Sequence, residues 1–156
     1  MAKRPKTMGP PKDAIALLKA DHQKVRQLFA EYDAAGDWAT RRSVATLVFV
    51  ELETHAQLEE HVFYPAVNEE TEDGPELVTD SLEEHQTMKQ LIQELRAIGP
   101  DTQAFDVKFH ELRRHVEHHV AEEESEMFPL AAEELEEDLK DLRDEMQALK
   151  ADILGS

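Results

Sequence analysis

The chain has 156 residues, of which 35 are acidic and 17 basic, for a formal net charge of −18, and it contains no cysteine. The acidic balance argues against a nucleic-acid partner, which needs a basic patch, and against an anionic membrane surface. The missing cysteines exclude disulfides, thiolate nucleophiles, Cys-ligated zinc and iron–sulfur clusters.

The length fits one domain with a hydrophobic core. Charged residues at 33% with only five glycines indicate a mostly helical chain. Residues 1–12 are basic and carry three prolines, a composition that favours a disordered tail. The only apolar run after it is interrupted by Asp13, Lys19, Asp21 and His22. Neither a signal peptide nor a transmembrane segment is therefore expected, and the expected location is cytoplasmic.

The first helix is expected over 13–34, capped by Asp13, with Ile15, Leu18, Val25 and Phe29 as its apolar stripe and His22 inside that stripe. Gly36-Asp37 breaks it, and Asp37 caps a second helix over 38–64. There the stripe Val44, Val48, Leu52 runs on into His55, Glu59 and Val62 until Pro65 ends or kinks it. A polar connection over 69–75 leads to a third helix over 76–98, with Val78, Leu82, Met88, Ile92 and Leu95 on the buried face and His85 in the same row. Gly99-Pro100 stops it. Asp101 or Thr102 caps a fourth helix reaching 128, whose stripe of Phe105, Phe109, Leu112 and Val116 continues into His119 and Glu123. A fifth helix is expected over 130–154. Its Leu135, Leu139, Leu142, Met146, Leu149 and Ile153 alternate four and three apart, so it either packs on the outside of the bundle or pairs with another chain in a homodimer.

The chain repeats itself. Residues 54–65 read T-H-A-Q-L-E-E-H-V-F-Y-P and residues 118–129 read H-H-V-A-E-E-E-S-E-M-F-P. Aligned on their prolines, His55 falls on His119, Glu59 on Glu123 and Glu60 on Glu124. Residues 21–28, D-H-Q-K-V-R-Q-L, match residues 84–91, E-H-Q-T-M-K-Q-L. Two similar helical hairpins make an all-α, antiparallel four-helix bundle with approximate two-fold symmetry. The expected division is a tail over 1–12, the bundle over 13–129 and a C-terminal acidic helix over 130–156.

The repeat selects His22, His55, Glu59, His85, His119 and Glu123. A His and a Glu four apart share one helix face, and each histidine lies on an apolar stripe, where a lone imidazole or carboxylate must be paired or bind a metal. Imidazole with carboxylate suits iron, manganese, zinc or copper. Two glutamates facing each other from opposite hairpins bridge two ions, with two histidines completing each shell. The alternative is a metal-free core of hydrogen-bonded His–Glu pairs. His115, one turn before His119, is a candidate extra ligand or a partner of one. His61, His110 and His118 fall on polar faces. Glu60 and Glu124 are read as solvated or supporting residues, and Tyr64 and Phe128 as packing at the bundle end.

The order His22 … His55-x-x-x-Glu59 … His85 … His119-x-x-x-Glu123, with E-E-x-x-x-x-P beginning at each glutamate, resembles the hemerythrin-like (HHE cation-binding) family over about 13–129. The resemblance implies a non-haem di-iron centre, oxo- or hydroxo-bridged. His22, His55, His85 and His119 would be terminal ligands, and Glu59 and Glu123 bridging carboxylates. The oxygen carriers of that family have a fifth histidine one turn from the third-helix ligand, where this chain has Ser81 and Lys89. They also space their last His and carboxylate five apart, with Asp. One iron is thus expected to lack a ligand, take a water or recruit another residue, which favours reaction with peroxide or dioxygen, catalase- or peroxidase-like, over reversible carriage. The other readings are an oxygen, nitric oxide or iron binding, sensing or storage module, and a metal-free bundle.

Overall fold

The computed structural model describes residues 9–99 and 102–155, so the expected tail falls outside the described residues as far as residue 8. Helix α1 spans Ala14–Ala34 and α2 spans Trp38–Leu58. Glu59–Phe63 forms a widened turn that carries α2 directly into α3, Tyr64–Glu70. Helix α4 spans Gly74–Ala97 and α5 spans Gln103–Glu122, with a second widened turn at Glu123–Met127 leading into α6, Phe128–Glu134. Helix α7 spans Leu139–Gly155. No strand occurs among the described residues. The α1–α2 and α4–α5 hairpins pack as an antiparallel four-helix bundle, and α7 lies across α1 and α2.

The helix starts follow from side-chain caps. Asp13 accepts from the Ala16 N–H at 2.9 Å, Asp37 from Thr40 at 2.7 Å and Thr102 from Phe105 at 3.2 Å. Each satisfies one donor that the first helical turn leaves without a partner. Asp101, the other candidate cap, lies outside the described residues.

Pro65 does not end the rod that begins with α2, and Pro129 does not end the one that begins with α5. A proline inside an α-helix lacks the N–H of the ladder and clashes with the carbonyl four residues back. Here the helix accommodates each one by widening. The Tyr64 N–H bonds the Glu59 carbonyl, and the Phe128 N–H bonds the Glu123 carbonyl, each five residues back. Such turns insert one residue without breaking the rod, and they often mark functional sites. The helix therefore runs on to Glu70, and α4 begins at Gly74 rather than near 76. Gly74 is required by space: a Cβ there would collide with the Thr71 hydroxyl and the Val67 carbonyl.

Two other expectations are corrected. The stretch 130–154 is not one helix. It breaks at Leu135–Asp138, where the Leu135 N–H bonds the Ala131 carbonyl and Asp138 bonds back to Leu135. Leu135 is buried at the corner, and the bend swings α7 back so that Leu139, Leu142 and Met146 bury against α1. The first half of the stripe that resembled a coiled coil is thus covered by its own chain, while Leu149 and Ile153 stay half-buried. On α4, Leu82 faces outward at 39% exposure while Ser81 is buried; the buried row is Val78, Ser81, His85, Met88, Ile92, Leu95, and it passes Leu82 by.

The core has two apolar halves. One includes Val25, Phe29, Val48, Ile92, Phe109 and Val116, with Phe109 packed among Phe29, Tyr32, Phe49 and Phe105. The other includes Leu18, Leu58, Phe63, Val67, Phe128 and Met146. Between them lies a polar layer. His22 sits between Leu18 and Val25 on α1, and His85 between Val78 and Met88 on α4.

Candidate metal centre

The structure brings His22, His55, Glu59, His85, His119 and Glu123 together in that layer, all at most 8% exposed. Their inward atoms form two clusters. In the first, His22, His55, Glu59 and Glu123 each offer an atom within 4.8 Å of the others; in the second, Glu59, His85 and His119 do the same. The Glu59 carboxylate is divided between them. Its Oε2 lies 3.3 Å from His55 Nε2, and its Oε1 lies 3.1 Å from His85 Nε2 and 3.7 Å from His119 Nε2. Glu123 spans the layer likewise, with Oε1 3.0 Å from His22 Nε2 and Oε2 3.4 Å from His119 Nε2.

The donor atoms of the first cluster show what the layer is suited to hold. His22 Nε2, His55 Nε2, Glu59 Oε2 and Glu123 Oε1 are buried without a hydrogen-bond partner. They lie near one another but are not aligned as hydrogen bonds. Unsatisfied buried polar atoms each cost about 1–3 kcal/mol, and four of them converging on one point is the arrangement a cation relieves. Imidazole nitrogen and carboxylate oxygen fit iron, manganese or zinc.

Each imidazole is held from behind. His22 Nδ1 lies 2.7 Å from Glu124, His55 Nδ1 3.0 Å from Asp21, His85 Nδ1 2.8 Å from Glu60 and His119 Nδ1 2.7 Å from Glu84. An Nδ1–H donated to a carboxylate fixes the ring and turns the Nε2 lone pair inward, the usual support of a metal-binding histidine. Burial opposes the Asp21 and Glu124 anions, yet the bonds to His55 and His22 prevail and lower both, and the bonds to His85 and His119 lower Glu60 and Glu84.

The electrostatics of the layer follow from the pairing of opposite charges. Burial opposes charge on His55, but the charge of Glu59 and the bond to Asp21 prevail and raise it to about 10. His119 and His85 are also raised against burial, chiefly by Glu123 and Glu59 respectively. Burial works against the Glu59 anion too, yet His55 and its other partners hold it well below the ordinary carboxylate value.

Tyr64 is the residue that the sequence reading placed elsewhere. Its hydroxyl donates to Glu123 Oε2 at 2.6 Å and lies 3.1 Å from Glu59 Oε1, 3.2 Å from His85 Nε2 and 3.4 Å from His119 Nε2. It thus occupies the second cluster, the one with three donors. In an α-helix, residues five apart diverge by about 140°, whereas the i→i+5 turn returns Tyr64 to the face of Glu59. Burial and the charges of Glu59 and Glu123 push its phenol well above the ordinary value, so it keeps its proton. Phe128, its counterpart in the repeat, stacks on His22 with centroids 5.7 Å apart.

His115 is exposed on the outer face and His61 is exposed as well. His118 sits outside beside Glu84 and Glu122. Asp21 and Glu84 were missed although a signal existed: each immediately precedes the histidine of its repeat, as D-H-Q and E-H-Q.

On the side of the layer facing the aromatic half-core lies a small cavity of about 40 Å³. Apolar side chains such as Val25, Met88, Ile92 and Val116 line it together with the four histidines, and the charged Asp21, Glu53 and Lys89 also border it. On that scale a water requires roughly 10–15 Å³, so the cavity has room for a molecule of two or three heavy atoms.

A family model described as Hemerythrin HHE cation binding domain matches residues 13–131. A DNA nickase from Nostoc sp. is 30% identical over 112 residues, covering 72% of this chain but only 31% of that protein. A hemerythrin-like protein of uncharacterised function from Schizosaccharomyces pombe is 26% identical over 119 residues, covering 76% of this chain and 59% of its own length. The chain thus spans less than two thirds of either relative. The crystal structure of a hemerythrin HHE cation binding domain-containing protein from Mycobacterium kansasii superposes with a TM-score of 0.78. It is 20% identical, and the match covers 90% of this chain and 86% of that one, which shows a shared fold.

Proposed function

Because the chain belongs to the hemerythrin HHE cation-binding domain family, we propose that it binds two iron ions in the buried layer and reacts there with a small oxidant, peroxide or dioxygen. The observation that carries this reading is the set of four orphaned donor atoms in the first cluster. His22, His55, Glu59 and Glu123 would hold one ion. His85, His119, Glu59 and Glu123 would hold the other, with the protonated Tyr64 hydroxyl beside them as a donor rather than a ligand. A bound iron pair supplies electron exchange with the oxidant.

The chain's own residues do the rest. Glu59 and Glu123 hold the two sides of the layer in register. Val25, Met88, Ile92 and Val116 give the approach to the histidines an apolar wall suited to a small uncharged molecule. The Tyr64 hydroxyl holds a proton 2.6 Å from Glu123 Oε2, beside the point where both clusters meet. The nickase's activity is that of a longer protein, and a net charge of −18 opposes the approach of a polyanion; DNA is not proposed as a substrate.

Iron-loaded protein is expected to release dioxygen from hydrogen peroxide. Tyr64→Phe should retain two irons per chain yet slow the release about 100-fold, the lower range for loss of a positioned proton donor. Inertness of the loaded protein towards peroxide would contradict turnover. An unchanged rate in Tyr64→Phe would remove the tyrosine from the account. The apolar walls also favour a second reading, reversible binding of an uncharged diatomic such as dioxygen or nitric oxide. A stable, reversible optical spectrum without peroxide breakdown would select it.

A further inference from the structure

The four supports behind the histidines are themselves anchored, and the anchors follow the repeat except in one place. Glu124, behind His22, lies 3.4 Å from Arg26, and Glu60, behind His85, lies 2.9 Å from Lys89; Arg26 and Lys89 are equivalent positions of the two repeats. Glu84, behind His119, has His118 at 3.5 Å. The position equivalent to His118 in the first hairpin is Thr54, which carries no charge. Asp21, behind His55, therefore has no anchor from the bundle corresponding to that one. It is also the least exposed of the four carboxylates, with its side chain at 8%.

The anchor comes from the C-terminal helix. Lys150 Nζ donates to Asp21 Oδ1 at 3.1 Å while Asp21 Oδ2 accepts from His55 Nδ1 at 3.0 Å. Lys150 lies beyond residues 13–131, the segment that matches the family. We propose that Lys150 is a positioning residue of the metal centre, through which α7 locks the Asp21 carboxylate and so fixes the orientation of the His55 imidazole. Leu139, Leu142 and Met146 bury along α1 and set the position of the helix. The ammonium then holds one carboxylate oxygen and leaves the other directed at the ring. Without it the carboxylate is free to rotate, and a buried anion loses its countercharge. The bundle alone supplies a cation to two supports and a histidine contact to the third, and α7 supplies the cation at the fourth.

The inference rests on His55 being a ligand, and the experiment separates the two claims. Full-length protein is loaded with Co2+, whose visible bands report ligand geometry, and the rate of metal loss to excess chelator is followed. Direct outer partners of metal ligands typically change affinity 10–100-fold when mutated, and Lys150 stands one bond further out. Lys150→Met should therefore accelerate loss about tenfold and shift the visible bands, and Lys150→Arg should restore both. Asp21→Asn should be at least as severe, and adding Lys150→Met to it should change little more, because the lysine acts through the aspartate. If wild-type protein binds Co2+ and Lys150→Met matches it in rate and spectrum, or if the two substitutions are fully additive, the positioning role is overturned while the metal centre stands. If wild-type protein binds no Co2+, both fail.

Discussion

Glu59→Ala is expected to abolish binding of the metal pair and to cost the empty protein about 3–5 kcal/mol, the range for removing one member of a buried ion pair. Glu59 is fully buried and common to both donor clusters. One oxygen faces His55 and the other faces His85 and lies 3.1 Å from the Tyr64 hydroxyl. Losing it removes an oxygen donor from each cluster at once. It also leaves His85 and His119, with Nε2 atoms 3.2 Å apart, without a shared anion between them. For a chain of this size the stability loss corresponds to a fall in Tm on the order of 10 °C. Glu53→Gln is the control: it breaks an Arg96 pair of which both members are about half exposed and should change neither property appreciably. Metal content and thermal unfolding, measured together, separate the readings. A metal-free core of His–Glu pairs would lose stability only, and undiminished metal content in Glu59→Ala would refute the shared-carboxylate geometry.

Metal loading is expected to release on the order of three protons per chain near neutral pH, and affinity should rise steeply with pH. In the empty protein His55 stays protonated up to about 10, and His85 and His119 are raised as well. A cation requires the neutral imidazole, so each of these protons must leave, and each contributes about a tenfold gain in affinity per pH unit. The same shifts fix the sign of the stability change. A raised folded-state pKa gives stability that is complete below the ordinary histidine value of 6.5 and is lost as pH climbs through about 10. Empty protein should accordingly weaken from pH 7 to pH 9, while the gain in stability on loading grows over the same interval. Calorimetric titration in two buffers of unlike ionisation enthalpy counts the protons. Equal heats in both would mean that the histidines are neutral before the metal arrives.

Much of this architecture is legible in the chain. Asp13, Asp37 and Thr102 announce the helix starts they cap. The repeat, with the apolar stripes through His22, His55, His85 and His119, locates the six residues whose donor atoms meet. Other features were hidden because they depend on backbone geometry that helical periodicity does not encode. At ordinary helical spacing Tyr64 faces away from Glu59, and only the widened turn beside Pro65 reverses this. Since its counterpart is Phe128, the repeat directs attention away from it. The bend at Leu135–Asp138 contains neither glycine nor proline; what decides it is the burial of Leu135 and of the α7 stripe against α1, which is tertiary. Lys150 looks like one more charge on a solvated face until the bend brings it to Asp21.

Two cations in the six-residue layer are what would distinguish this chain from a metal-free bundle. The most direct test is elemental analysis of the full-length chain, reconstituted with Fe2+ and freed of excess metal, together with its ultraviolet–visible spectrum after oxidation. A two-cation site gives about two irons per chain and the absorption of a bridged ferric pair. Two zinc ions in freshly purified protein, in place of iron, would keep the site and remove the redox chemistry. Reconstituted protein that remains folded yet retains no metal would rule the site out and leave a metal-free bundle of buried His–Glu pairs.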